Sequence, residues 1–95
     1  MAFDELHDEA LNRTYQQYTQ ALHTQEKTNA LYSGVKEILS HLRVYKYDPE
    51  KFKEKSQVSL NELQNLLDRY YYNDREFQER LMFEAKAYVI ELENE

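Results

Sequence analysis

LLDRYYYNDREF, residues 66–77, sets three tyrosines in a row and follows them with Asn73 and Asp74. Asn-Asp is a usual place for a chain to turn or for a new helix to be capped, so this stretch decides between one helix running through and two helices meeting. After Ser59 the apolar positions are Leu60, Leu63, Leu67, Tyr70, Phe77, Leu81, Ala85, Tyr88 and Leu92, and with Asp74 counted in they follow one another at steps of three or four. A cap and restart has no reason to keep that register. The phase predicts one helix over 60–93, roughly 50 Å long. Tyr70 then lies in its apolar seam, Tyr71 on the flank, Tyr72 facing out, and Asp74 inside the seam. The alternative is a three-helix bundle in which Asn73 caps the last helix and Glu76 completes a capping box.

Upstream, the spacing of Leu11, Tyr15, Tyr18, Leu22, Tyr32, Val35, Leu39 and Leu42 predicts a first helix over 3–46, with a polar gap in its seam at Gln25 and Asn29. Gly34 costs such a helix about 1 kcal/mol against Ala, which suits a place where packing needs close approach. The clear break is YKYDPEKF, residues 45–52. Asp48 as N-cap with Pro49 at the first helical position predicts a short helix over 49–55. Ser59 and Glu62 then read as a capping box, which makes 47–59 a connection. The fold expected is all-α, an antiparallel hairpin of two long helices with a short helix in the connection, as a single domain over 1–95. Laid antiparallel, Gln25 and Asn29 come level with Asp74 and form a polar layer that selects one register.

Composition supports few, long helices. One Gly and one Pro in 95 residues leave almost no turn formers. No cysteine means no disulfide or thiolate chemistry. The acidic start MAFDELHDEA has no apolar core of a signal peptide, and no stretch has the length of a membrane span, so membrane insertion is not expected. A net charge of −6 disfavours nucleic acid and membrane surfaces. Cytoplasmic location is the reading, with signal-peptide-independent export compatible.

His7, His23 and His41 stand 16 and 18 residues apart and do not assemble the paired Glu-x-x-His pattern of a dimetal bundle. Carboxylate pairs such as Glu76 and Glu79, or Glu91 and Glu95, lack the pocket that would tune them for acid–base work. No phosphate loop or nucleophile motif exists. No catalytic, metal or cofactor site is expected, and the chain reads as non-enzymatic. Around the connection Arg43, Lys46, Lys51, Lys53 and Lys55 interleave with Tyr45, Tyr47 and Phe52, but Asp48, Glu50 and Glu54 neutralise most of that charge. At the other end, Asp4, Glu5, Asp8 and Glu9 are expected to meet Glu91, Glu93 and Glu95 in an acidic pole. The stretch LMFEAKAYVI, residues 81–90, is apolar nearly all round: Leu81, Ala85 and Tyr88 belong to the seam while Met82, Phe83, Val89 and Ile90 point elsewhere. Those four, with Tyr72, are the expected protein interface, for a second protein or a homodimer; wrapping by Phe3 and Leu6 is the competing reading.

Two long helices in about a hundred residues, without cysteine or signal peptide, resemble the helical-hairpin proteins of bacterial type VII secretion. These are the Trp-X-Gly family and the small helical partners of LXG-domain toxins. Tyr32-Ser33-Gly34 stands for Trp-X-Gly, though inside the first helix rather than in the turn. Tyr70 and Asp74 match the Tyr-x-x-x-Asp/Glu export signal in spacing, though mid-helix rather than beyond it. Phe77 and Phe83 lack an acid four residues on. The resemblance implies an export partner or chaperone-like adaptor that docks on a helical toxin domain. The rival class is a small acidic inhibitor, as in immunity or phage proteins, that blocks a basic site.

Overall fold

The Asn73-Asp74 step ends one helix and starts another. The computed structural model describes the backbone of residues 2–95 and the side chains of residues 8–95. The chain is all-helical, with α1 Ala2–Gln20, α2 Thr24–Leu39, α3 Pro49–Tyr70 and α4 Arg75–Glu93, and a 3₁₀ segment Ser40–Tyr45 between α2 and α3. Asp74 is the N-cap of α4: its carboxylate accepts the Phe77 N–H at 3.1 Å. The Tyr71 carbonyl receives the Asp74 N–H at 3.0 Å and the Gln78 side-chain amide, which closes the turn without a glycine.

The single helix over 60–93 is therefore corrected. Two antiparallel helices that bury their faces in one core each show three- and four-residue spacing, and a turn of four residues happens to join the two patterns in phase. Asp74 fills the one seam position that carries no apolar side chain, and a carboxylate three residues before a helical N–H is a cap. The tyrosine order shifts with it. Tyr71 is buried, while Tyr70 and Tyr72 are exposed.

The helix over 3–46 is corrected likewise. It breaks at residues 21–23, where Leu22 points into solvent and His23 takes an extended conformation ahead of Thr24. What read as a polar gap in a seam is a turn and the exposed first turns of α2. Gln25 and Asn29 bond to each other at 3.3 Å on the surface, and the polar layer with Asp74 does not form. The Asp48–Pro49 start holds, with the Asp48 side chain accepting the Lys51 N–H at 3.2 Å. The connection over 47–59 does not hold, because that helix continues to Tyr70. Ser59 is interior to α3 and buried, and its hydroxyl lies 3.2 Å from His41 Nε2 rather than capping a new helix.

α1 and α2 form an antiparallel hairpin, with Arg13 paired to Glu37 and Thr14 against Gly34. α3 and α4 form a second one around residues 71–74. The two pack through α2 on α4, which run the same way: Arg80 donates to Thr28 at 2.8 Å, and further along Tyr32 meets Tyr88 edge-on and donates to Glu91. The molecule measures 39 × 28 × 19 Å, shorter than the long helix the sequence phase implied. The core takes Leu11 from α1, Leu31, Val35 and Leu39 from α2, Leu63 and Leu67 from α3, and Phe77, Leu81, Ala85, Tyr88 and Leu92 from α4.

An aromatic cluster ties α1 to the α3–α4 turn. Tyr15 lies 4.8 Å from both Tyr71 and Phe77, and Tyr18 lies 5.3 Å from Phe77, by ring centroids. Their phenols reach polar partners: Tyr18 donates to Glu76 at 2.9 Å and Tyr71 donates to Asn12. Tyrosine is suited to this boundary because the ring is buried while the hydroxyl finds a partner.

Candidate functional site

The surface between α3 and α4 carries a series of clefts. Three clefts lie along it in line. The first, about 400 Å³, is walled by Gln64 on α3 and by Gln78, Met82 and Lys86 on α4, with Phe83 at its edge. The second, about 380 Å³, shares Gln64, Met82 and Lys86 and extends to Gln57, Leu60 and Asn61. The third, about 470 Å³, lies at the far end between Lys53 and Phe52 of α3 and Glu93 of α4. The antiparallel register explains the alignment, since Gln64 faces Met82 and Lys53 faces Glu93. From Arg75 to Glu93 the line runs about 27 Å at helical rise.

The helical geometry of each side makes this possible. On α3, Gln57, Asn61 and Gln64 fall at i, i+4 and i+7 and present amides along one edge. On α4, Met82 and Val89 fall seven residues apart and keep 8% and 9% exposure, the most open of the α4 core residues. One step further round, Phe83 and Ile90 are 70% and 59% exposed. The expected interface is thereby divided. Met82 and Val89 are core residues, with Met82 also lining the groove, and the reading that placed them on a free surface is corrected. Phe83 and Ile90 are exposed on the outer flank of α4, and Tyr72 is exposed in the α3–α4 turn. The reason is the breadth of the buried face of α4, which packs against α2 on one side and α3 on the other.

The groove edge carries charge of both signs. Glu79, Lys86 and Glu93 are exposed on one line of α4, and none forms an ion pair among the described residues. Among the described residues the expected acidic pole does not assemble. Asp8 lies close enough to Tyr71 to act on its phenol, at the α3–α4 turn, whereas Glu95 pairs with Arg43 at 3.5 Å at the opposite end of α4. Asp4 and Glu5, together with Phe3, Leu6 and His7, have side chains outside the described residues.

Four tyrosine phenols, those of Tyr15, Tyr18, Tyr32 and Tyr71, hold their protons firmly. Burial, then the Glu76 hydrogen bond, pushes Tyr18 up to about 12. Burial, then the charge of Asp8, does the same to Tyr71, also to about 12. The hydrogen bond to Glu91 raises Tyr32 to about 12, and burial with the neighbouring Asp74 raises Tyr15. Tyr18 and Tyr32 act as fixed donors to carboxylates, and Tyr71 to the Asn12 amide oxygen, at the packing surfaces of the helices.

One pair escaped the reading of the sequence. His41 Nδ1 faces the Ile38 carbonyl at 3.1 Å, which makes Nε2 the acceptor for the Ser59 hydroxyl. The arrangement has the form of a base and a nucleophile, but the Ser59 side chain is buried and neither residue lines the three clefts. It fastens the 3₁₀ segment to α3. Among the described residues, no three of His, Cys, Asp and Glu gather where a metal ion could be held, and no helix is long and apolar enough to cross a membrane. Comparison with protein-family models, with curated proteins and with solved structures finds no match to this chain.

Proposed function

We propose that this protein is a non-enzymatic interaction module that docks a protein partner on the outer flank of α4. The observation that supports it is the pair Phe83 and Ile90. Both are large and apolar, both stand mostly in solvent at 70% and 59%, and they lie seven residues apart on one helical line beside the α3–α4 groove. Seven residues is two helical turns, the repeat at which one helix anchors on another. Fully burying such a side chain contributes roughly 1.5–3 kcal/mol, so two of them supply a useful share of a moderate affinity. In the frame of the resemblance to type VII secretion partners, the module serves as an export partner or chaperone-like adaptor, and its partner is a helical domain of a secreted toxin.

Site-specific photo-crosslinking tests the reading. A photoreactive residue at position 83 or 90 is expected to trap one discrete protein in the native host, while the same group at the exposed position 17 of α1 traps none. A crosslink from position 17 as strong as that from 83 would place the interface elsewhere.

A further inference from the structure

We infer that the α3–α4 groove accepts an amphipathic helix of a partner protein, about 18 residues long, whose edge facing α4 carries basic, acidic and basic residues in that order at seven-residue spacing. This rests on the reading of the chain as an interaction module and names what the module takes. The groove runs between two antiparallel helices and is floored by Leu60 and Met82, with Phe83 on its edge. A third helix laid there buries both walls at once. An extended segment gains less, because the backbone groups of α3 and α4 are spent within their own helices and no sheet edge exists among the described residues to pair with.

The charge order comes from the α4 edge. Glu79, Lys86 and Glu93 stand at i, i+7 and i+14, exposed and without ion pairs among the described residues. A partner helix running along them meets acid, base and acid at intervals of about 10 Å, and the complementary order is base, acid and base. That order is the same read from either end, so it selects the partner face without fixing its direction. The opposite wall offers the amides of Gln57, Asn61 and Gln64 along its middle, which both donate and accept and so tolerate varied polar side chains, while at the far end Lys53 and Glu50 of α3 line the cleft with Glu93.

A second copy of this chain fits poorly. Two α4 helices paired antiparallel through Phe83 and Ile90 bring Lys86 against its own copy and Glu79 against the copy's Glu93. Each copy also carries a net charge of −6. Like charges at an interface disfavour that pairing.

The test uses two stapled helical peptides of about 18 residues with the same leucine stripe and the same net charge, balanced on their outer faces. One carries the basic–acidic–basic edge and the other the reverse. Each is titrated into the isotope-labelled full chain and followed by amide shifts. The expected result is saturable binding of the first peptide, with shifts centred on Asn61, Gln64, Met82 and Lys86. The reversed peptide should bind about tenfold more weakly at low salt, the scale of three exposed ion pairs turned repulsive. In the variant Glu79→Lys, Lys86→Glu, Glu93→Lys, checked for native helicity, the preference should invert. Equal affinities, no binding by either peptide, or shifts on another face would overturn the inference. If the peptides fail while position 83 still crosslinks a discrete protein, the module reading stands and the groove-helix inference alone falls.

Discussion

Replacing Gly34 with Ala should destabilise the protein although it removes a glycine from the middle of α2. In an isolated helix the change gains about 1 kcal/mol. Here an added Cβ would lie 2.0 Å from Thr14 Oγ1, 2.6 Å from its Cγ2 and 2.8 Å from its Cβ. Rotating the Thr14 side chain could move the first two atoms, at the loss of its 2.8 Å hydrogen bond to the Ala10 carbonyl. The third is fixed to the backbone of α1, so the two helices must separate. Overpacking of this kind costs typically about 1–3 kcal/mol, and the helices it would part also carry Leu11, Leu31 and Val35 in the core. Set against the propensity gain, the clash leaves a net loss of up to about 2 kcal/mol, which lowers the melting temperature by up to roughly 15 °C in a chain of this size. Thermal and urea unfolding followed by circular dichroism measure it. Adding Thr14→Ala should recover part of the loss, because it removes two of the three clashing atoms. If Gly34→Ala instead raises the melting temperature, α1 does not cross α2 at this point, and the helix breaks at residues 21–23 are wrong.

Other outcomes follow from the same structure. Asp74→Ala removes the cap of α4 and should cost about 0.5–2 kcal/mol in urea unfolding, and Asp74→Leu should likewise destabilise rather than strengthen a seam. Stability should fall as pH rises between 10 and about 12. Tyr18, Tyr32 and Tyr71 are held protonated there in the folded chain while the unfolded chain has released those protons, so the folded state binds more of them and loses ground as pH rises. A pH series of melting curves that stays flat over that window would contradict the assignment. Phe83→Glu with Ile90→Lys should leave helicity unchanged and the melting temperature within a few degrees, since exposed substitutions usually stay within about 0.5 kcal/mol. An unfolded double variant would mean those side chains are core.

Where the sequence was a good guide, a local chemical rule had no competitor. Asp48 and Pro49 open a helix because a carboxylate cap and a fixed φ agree at adjacent residues. The all-helical class followed from scarce glycine and proline. Where it misled, two rules competed. Apolar periodicity was set against the cap signal at Asp74, and periodicity does not distinguish one helix from two that share a core. At residues 21–23 no glycine, proline or capping side chain marks the turn, and it is fixed by the packing of α1 on α2 and of Tyr15 and Tyr18 on Phe77. The false capping box at Ser59 arose because a small side chain serves equally to cap a helix and to let a neighbouring segment come close; the hydroxyl beside His41 shows the second use. For the site, Phe83 and Ile90 were legible as apolar residues on the wrong face of a helix. Met82 and Val89 were not separable from them, because their burial depends on α3 lying alongside. The amide edge of Gln57, Asn61 and Gln64 stayed hidden while residue 57 was assigned to a connection, although its helical spacing is plain once α3 is continuous.

The central claim, that the outer flank of α4 holds a protein partner, is tested most directly by comparing what the wild-type chain and the Phe83→Glu, Ile90→Lys variant retain from the native host, quantified by mass spectrometry at equal amounts of folded bait. The account predicts that one discrete protein is retained by the wild type and lost at least about tenfold in the variant, the effect of removing roughly 1.4 kcal/mol or more of apolar anchoring. Equal retention by a folded variant would contradict it.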